Sequence, residues 1–283
     1  MMRPDDVEPR KISEFRSASP SPDGRFLAEP DLNIERRDIL YIRHLHTGKK
    51  IRSLKLKVQS MDDISWSPDG KWIAYAGNAL GPIAGHRMDT KLFLISPDGR
   101  QHRQLPDQVG EKPRAFVWAA DSRSVFYNLS RADKIWELNI NGEQNPKKYN
   151  PYHKGSGFTS TSPLYSFSPS GKEIAYTSAT QGVYVANIGG TNRRRVVDKG
   201  EFKLLFQVDW SPNGQYLVFS ASKEFGNDYG LYIFSFASKK VRPLITSQDN
   251  LPSRPRWVED SLAVHPSNKM AVTWGEIKNL TRR

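Results

Sequence analysis

Chemistry in this chain would have to come from histidines, carboxylates, hydroxyls and cationic side chains, because its 283 residues include no cysteine. That removes disulfides, thiolate-bound zinc, iron–sulfur ligation and a thiol nucleophile. Of the six histidines only His44 and His46 have suggestive spacing, since residues i and i+2 of a strand share a face. A metal there would need further ligands from elsewhere, and the pair reads more simply as outer-strand residues. Asp62-Asp63 and Asn227-Asp228 read as loop positions, where such residues shape turns and could also meet a cation. The sequons at Asn128-Leu129-Ser130 and Asn279-Leu280-Thr281 are read as chance. No Gly-x-Ser-x-Gly elbow, His-Glu-x-x-His site, Walker loop, dinucleotide fingerprint or EF-hand loop occurs. No catalytic residue, metal site or cofactor is therefore expected.

The cations carry more information. Net charge is +12, which favours anionic partners such as nucleic acid, acidic lipid or an acidic protein through long-range attraction. The positive residues recur in clusters: Lys49, Lys50 and Arg52; Arg100 and Arg103; Lys147 and Lys148; Arg193, Arg194 and Arg195; Lys239, Lys240 and Arg242. No aromatic residues interleave with these clusters in the chain, as a platform for stacked bases would require. Their alternative reading is a solvated surface, with outer-strand lysines such as Lys55 and Lys57 guarding a sheet edge.

What positions these residues is an internal repeat. Ile64-Ser65-Trp66-Ser67-Pro68-Asp69-Gly70-Lys71-Trp72-Ile73-Ala74-Tyr75 and Val208-Asp209-Trp210-Ser211-Pro212-Asn213-Gly214-Gln215-Tyr216-Leu217-Val218-Phe219 each read strand, tight turn, strand. Further copies centre on Pro22-Asp23-Gly24, Ala120-Asp121-Ser122, Pro169-Ser170-Gly171 and Glu259-Asp260-Ser261. Pro presets φ, Asp or Asn bonds its own backbone, and Gly accepts positive φ, so each unit is a hairpin. The landmarks Gly24, Gly70, Ser122, Gly171, Gly214 and Ser261 are separated by 46, 52, 49, 43 and 47 residues, the period of a four-stranded propeller blade. Third strands are expected at Ile39 to Leu45, Lys91 to Ile95, Lys134 to Ile140, Gly182 to Asn187 and Gly230 to Phe236. Trp or Phe just before each turn is expected to pack between neighbouring blades. The runs are too short and too β-branched for ordinary helices, so almost no helix is expected.

The Ser-Pro-Asp-Gly turns, with Val183 to Arg195 following one of them, resemble TolB-family propeller repeats over about residues 15 to 265. Related blades occur in WD40-like scaffolds and in the propellers of prolyl oligopeptidase relatives, so the resemblance implies architecture more than activity. The expected fold is all-β: a single propeller of six four-stranded blades, with a flexible tail at 1–9 and the propeller at 10–283. A partial seventh blade is the alternative reading of Val264 to Val272. Arg10 to Phe15 is expected to pair with the last blade and cover its edge. The separate N-terminal domain and export signal of periplasmic TolB have no counterpart in the sequence, so the resemblance does not carry a role in the Tol system. With no apolar leader-like run and no segment long enough to span a bilayer, the chain reads as cytoplasmic, or as exported if a leader was removed.

A propeller has two faces, and the sequence divides between them. The turns between third and fourth strands place Lys49, Lys50, Arg100, Arg103, Lys147, Lys148, Arg193, Arg194, Arg195, Lys239, Lys240 and Arg242 on one rim, a candidate surface for nucleic acid or an acidic membrane. Longer connections form the opposite face and hold Ile83, Met88, Tyr152, Phe158 and Phe225, candidate protein-binding residues. The expected function is a non-catalytic interaction module binding a protein partner, with the basic rim as the alternative. A propeller enzyme acting on a carbohydrate or peptide is a third reading, to which no residue is assigned.

Overall fold

The structure, a computed structural model, describes residues 10–11, 18–31, 38–79, 90–106, 113–129, 135–142, 146–149, 165–178, 181–200, 202–224, 229–247, 252–258 and 261–266. Every helix or strand among them is a β-strand, and none is a helix long and apolar enough to cross a membrane. The chain divides into two compact units, one built on Ser17–Asn150 and the other on Leu164–Arg283 with Met1–Arg16.

The chain's first element, β1 (Arg10–Lys11), belongs to the second of these units. The Ser17–Asn150 unit contains three sheets. The first is β2 (Ser19–Pro20), β3 (Phe26–Pro30), β4 (Ile39–His44) and β5 (Lys50–Lys55). The second is β6 (Val58–Trp66), β7 (Ile73–Ala79), β8 (Thr90–Ile95) and β9 (His102–Gln104). The third is β10 (Pro113–Trp118), β11 (Ser124–Leu129), β12 (Ile135–Asn139) and β13 (Lys147–Tyr149). The other unit holds a fourth sheet, β14 (Tyr165–Phe167), β15 (Glu173–Ser178), β16 (Gly182–Asn187) and β17 (Arg194–Asp198). Its fifth is β18 (Leu204–Trp210), β19 (Tyr216–Ser222), β20 (Tyr229–Ser235) and β21 (Val241–Ser247). Each of the five is an antiparallel meander in chain order.

The sixth repeat differs from expectation. It forms a sheet of only three strands, in which β22 (Pro252–Val258) pairs antiparallel with β23 (Ser261–Pro266) and β1 takes the third place. β1 runs parallel to β23, with Arg10 opposite Ala263 and Lys11 opposite Val264. The expectation of six four-stranded blades is corrected to five four-stranded sheets and this smaller one. The N-terminal strand occupies the place beside β23 that a third strand following in the chain would take in a regular meander.

The tight turns explain why the hairpins recur. In the first sheet Ser21 Oγ accepts from Phe26 N (2.9 Å) and donates to Asp23 Oδ1 (2.6 Å), which also accepts from Arg25 N (3.1 Å). The second sheet repeats this with Ser67, Asp69, Lys71 and Trp72, and the fifth with Ser211, Asn213, Gln215 and Tyr216. The fourth residue is left-handed in each case, with φ of 67° at Gly24, 72° at Gly70 and 69° at Gly214. Ser122 takes the same conformation at 60°.

Burial alternates with the strand pleat. On β7, Ile73 and Tyr75 join a core with Leu40, Ile42, Leu54 and Trp66, between the first and second sheets. Their neighbours Ala74 and Ala76 face the other way, into a core with Phe116, Trp118 and Leu138 of the third sheet. Trp210 and Phe219 likewise pack with Val183 and Val185 across the fourth and fifth sheets. Trp66, Trp118 and Trp210, the tryptophans before three of the turns, are therefore packed between adjacent sheets, as their position in the repeat implies.

Buried polar contacts join the innermost strands. Ser19 Oγ accepts from Trp66 N at 3.1 Å, and Trp118 Nε1 donates to the Ser65 carbonyl at 3.0 Å. In the other unit Ser166 Oγ donates to Asp209 Oδ1 (2.5 Å) and accepts from Trp210 N (3.4 Å). Ser19 and Ser166 occupy the same place in the repeat, so one latch recurs in both units.

Candidate functional site

The cations of the proposed rim lie on the outermost strands and the turns leading into them. In the Ser17–Asn150 unit Lys49 and Lys50 are exposed at the start of β5, and Lys147 and Lys148 on β13. Arg100 sits in the β8–β9 turn beside Asp98 (3.5 Å), and Arg103 is half-buried on β9. In the other unit Arg194 is held by Glu173 through two contacts of 2.6 and 3.3 Å, and Arg195 by Asp198 at 2.9 Å. Lys239 and Lys240 are exposed in the turn before β21, and Arg242 is half-buried on that strand.

The reading that aromatic residues do not interleave with the cations is corrected by cross-strand geometry. Lys50 Nζ lies 3.5 Å from the centroid of the Tyr41 ring. Arg103 lies 5.4 Å over Trp72, Lys147 5.1 Å over Tyr149, Lys148 5.4 Å over Trp136 and Arg193 4.9 Å over Tyr184. Apart from Lys147 and Tyr149, each ring lies nine or more residues from its cation in the chain, so no short window of sequence shows those pairings. Such contacts contribute about 0.5–1 kcal/mol each at exposed sites.

Ile83, Met88, Tyr152, Phe158 and Phe225 lie outside the described residues, as do Asn227 and Asp228. Asp62 and Asp63 are not in a loop: both belong to β6, where Asp63 is buried and Oδ1 accepts from Ile64 N at 3.0 Å. β6 begins at Val58, six residues before the Ile64 that opens the sequence motif, which draws the pair into the strand. His44 ends β4, and its ring lies 6.0 Å from that of His46. Among the described residues no group of three or more His, Asp or Glu is placed to hold a metal.

One concave site escaped the sequence reading. A cleft of about 480 Å³ lies between the first and second sheets, inside the Ser17–Asn150 unit. Phe26, Ile42, Ile51 and Trp66 line it, together with the carboxylate-bearing turns at Asp23, Asp69 and Asp98. Ile51 is 48% exposed. It stands between Lys50 and Arg52 on the exposed stretch of a strand whose other apolar residue, Leu54, is buried, and that interruption was the available signal. Arg52 Nη1 donates to the Asp98 carbonyl oxygen at 3.0 Å and so ties β5 to the β8–β9 turn.

The three carboxyls are all held below the usual Asp range. For Asp98 the main cause is the Ser96 hydroxyl donating to it, with the Arg100 backbone N–H second. At Asp23 and Asp69 partial burial works the other way, but hydrogen bonds from Ser21 and Ser67 and from the following basic residues outweigh it. All three are carboxylates at neutral pH.

Antiparallel meanders whose innermost strands are joined by repeated serine contacts define the class: the chain has a β-propeller fold, with five four-stranded blades. It is similar to the solved structure of a TolB-type protein from Agrobacterium tumefaciens, with a TM-score of 0.63 and 18% identity, covering 92% of this chain and 90% of that one. It is also similar to hydrazine synthase from Kuenenia stuttgartiensis, with a TM-score of 0.61 and 16% identity, over 93% of this chain and 76% of that one. At such identities the likeness is one of fold. No protein-family model matches the chain, and no curated protein matches it in sequence.

Proposed function

We propose that this chain is a non-catalytic interaction module that binds a protein partner, as a subunit of a larger assembly. The observation carrying this reading is the preorganised scaffold: the Ser19–Trp66 and Ser166–Trp210 latches, repeated at the same place in the blade, stiffen adjacent sheets. Stiff scaffolds lose little conformational entropy on association, so their surfaces convert contact into affinity efficiently. The likeness to solved structures over more than nine-tenths of the chain supports treating 10–283 as one propeller domain after a short tail at 1–9. Recognition is assigned to the face of long connections that carries Ile83, Met88, Tyr152, Phe158 and Phe225.

Copurification from the native source, followed by identification of the accompanying proteins, tests the module. A stoichiometric partner surviving physiological salt is the expected result. A protein that stays monomeric at every concentration and brings no partner with it overturns the reading.

The cation–ring pairs favour a second reading, an anionic partner on the basic rim. Lys50, Lys147 and Lys148 are exposed and backed by rings, which fixes their heads without neutralising them. Titration against duplex DNA, RNA and acidic vesicles at two salt concentrations tests it, since phosphate contacts weaken steeply with salt. No affinity at low salt removes this reading.

A further inference from the structure

We propose that the turn face of the fourth and fifth blades docks on an acidic lipid surface. This rests on the anionic-partner reading above and gives it a face and a chemistry. Both blades belong to the Leu164–Arg283 unit. An antiparallel meander puts its first and third turns at the same end of the sheet, and here each pair of turns is joined. Ile188 N donates to the Lys172 carbonyl at 3.4 Å, and Phe236 N to the Gln215 carbonyl at 3.1 Å. Pro169 stands beside Gly214, so the turns of the two blades adjoin.

Charge on this face is not balanced as it is in the other unit. In the first three blades the third turn position is Asp, and the cation two residues on answers it. Arg25 Nε lies 2.6 Å from Asp23, Lys71 Nζ lies 3.6 Å from Asp69, and Asp121 accepts from Arg123 N at 2.9 Å. The fourth and fifth blades keep the turn and drop the charge. Ser170 Oγ meets Ser168 Oγ at 3.1 Å, and Asn213 Oδ1 accepts from Ser211 Oγ at 2.7 Å and Gln215 N at 3.0 Å. Glu173 and Asp198 are committed to Arg194 and Arg195. Among the described residues no carboxylate pairs with Lys172, Lys239 or Lys240, which are all exposed. Arg193, also exposed, lies over the Tyr184 ring and keeps its charge.

Val241 identifies the kind of anion. It is 37% exposed and stands on β21 between Lys240 and Arg242. The other large apolar side chain exposed among the described residues is Ile51, in the matching run Lys49-Lys50-Ile51-Arg52. An acidic membrane offers phosphates to the cations and, just beneath them, an apolar layer to the aliphatic side chain. A nucleic-acid backbone offers Val241 nothing, and the rings of this face, Tyr184 and Trp210, are too buried to stack on bases. Guarding a sheet edge accounts for cations on outer strands. It does not account for carboxylates absent from the turns of one unit alone.

The chain supplies the controls. Asp69 makes the same bonds in its turn as Asn213 does, accepting from Ser67 Oγ and Lys71 N. A Ser170→Asp/Asn213→Asp variant therefore keeps the turns and gives this face the charge arrangement of the first three blades. Arg25→Gln/Lys71→Gln removes as much charge as Lys239→Gln/Lys240→Gln, but from positions already answered by Asp23 and Asp69.

The full chain is sedimented with vesicles of phosphatidylcholine, alone or with about one-third phosphatidylglycerol, as a stand-in for an acidic leaflet. Physiological salt limits the attraction to about 8 Å, so the face turned to the membrane decides the outcome. The expected result is retention by the acidic vesicles alone. Lys239→Gln/Lys240→Gln should weaken it about tenfold or more, Ser170→Asp/Asn213→Asp should weaken it in the same direction, and Val241→Ser should cause a smaller loss. Arg25→Gln/Lys71→Gln should leave it unchanged, with urea midpoints showing that every variant is folded. Equal retention by the two kinds of vesicle, equal loss in the two lysine and arginine variants, or full binding by Val241→Ser overturns the proposal. Duplex DNA and RNA are the remaining arms. Affinity for either without affinity for acidic vesicles removes the lipid surface and leaves the anionic-partner reading, whereas no affinity for any of the three removes both.

Discussion

The second and third blades solve the same turn in different ways. In the second, Ser67-Pro68-Asp69-Gly70 is complete: the serine hydroxyl bonds Asp69 and Trp72 N, and glycine supplies the left-handed residue at φ 72°. In the third, Ala119-Ala120-Asp121-Ser122 lacks both the hydroxyl and the proline, and a serine takes the left-handed place at φ 60°. The backbone is nonetheless the same, with Ala119 N bonded to Ser124 O at 2.9 Å and Ser122 N to Ala119 O at 3.0 Å. What the third blade loses inside its turn it recovers across the blade boundary, where Ser122 Oγ accepts from Asp69 N at 3.0 Å and Trp118 Nε1 donates to the Ser65 carbonyl. Hairpin shape is therefore kept by the backbone and a short polar residue at the third turn position, Asp, Asn213 or Ser170, while the serine and glycine positions are free to trade local bonds for bonds between blades.

The largest effects should come from the tryptophans before these turns. Trp66 and Trp118 are 8% and 4% exposed, and replacing either by alanine should cost about 3–5 kcal/mol by leaving a cavity. Phenylalanine separates them. The Trp118 indole N–H is bonded, whereas that of Trp66 has no hydrogen-bond partner among the described residues. Trp118→Phe should exceed Trp66→Phe by about 1 kcal/mol in urea unfolding. Equal costs would break the comparison, because the interblade bond would then contribute nothing.

Next is the hydroxyl inside the second turn. Ser67→Ala removes two bonds and should cost about 1–2 kcal/mol, while Ala119→Ser, beside Asp121 and Ser124 N, should recover part of that in the third. If Ala119→Ser destabilises the protein, the two turns are less alike than their backbones.

Ser122 gives a smaller and more diagnostic pair. Ser122→Ala loses the bond to Asp69 N and keeps a left-handed non-glycine residue, so it should cost about 1 kcal/mol. Ser122→Gly loses the same bond but relieves backbone strain of about 1–2 kcal/mol, and should be near neutral. A glycine variant as damaging as the alanine one would show that φ at this position carries no strain.

The same contrast explains what was legible in the chain. Local chemistry was: Asp-Gly and Asn-Gly turns at a regular period marked the hairpins, and third strands such as Gly182–Asn187 followed from the apolar runs. Even the Arg10 region's pairing with the last hairpin followed from the need to cover an edge. Contacts joining distant residues were not legible. Lys50 over Tyr41 and Arg103 over Trp72 depend on strand register, and the cleft depends on how Ile51 meets turns about 20 and 50 residues away. Asp63 was misread because a charged pair looks like a loop until the β6–β7 register, which sets Asp63 opposite Ala76, places it in the ladder.

The smallest effect expected is a dependence on pH confined to the second blade. Tyr75 and Tyr127 hold the same place on the second strands of their blades, and burial pushes both phenols up. Only for Tyr75 does the hydroxyl meet a titratable ring in the described structure, His102 Nε2 at 2.5 Å, while Lys57 N donates to the same oxygen at 3.4 Å. Partial burial, and then the positive charge of Lys57, hold His102 below the usual histidine value. The neutral imidazole and the Tyr75 hydroxyl share one hydrogen bond, whose donor is set by the ring's tautomer. Because the folded pKa is depressed, the unfolded chain binds the proton first as pH falls, so stability is full above about pH 6.5 and declines as pH drops through the lowered folded value. The decline should be small, because His102 is only partly buried and solvent screens its contacts. Asp23, Asp69 and Asp98, also depressed, act below about pH 4 and leave the window clear. Urea midpoints at pH 7.5, 6.5 and 5.5, read against His102→Asn, isolate the effect: wild type should lose stability across the series and the variant should stay flat. Parallel curves for the two proteins would place the titration elsewhere and reduce the Tyr75–His102 contact to packing.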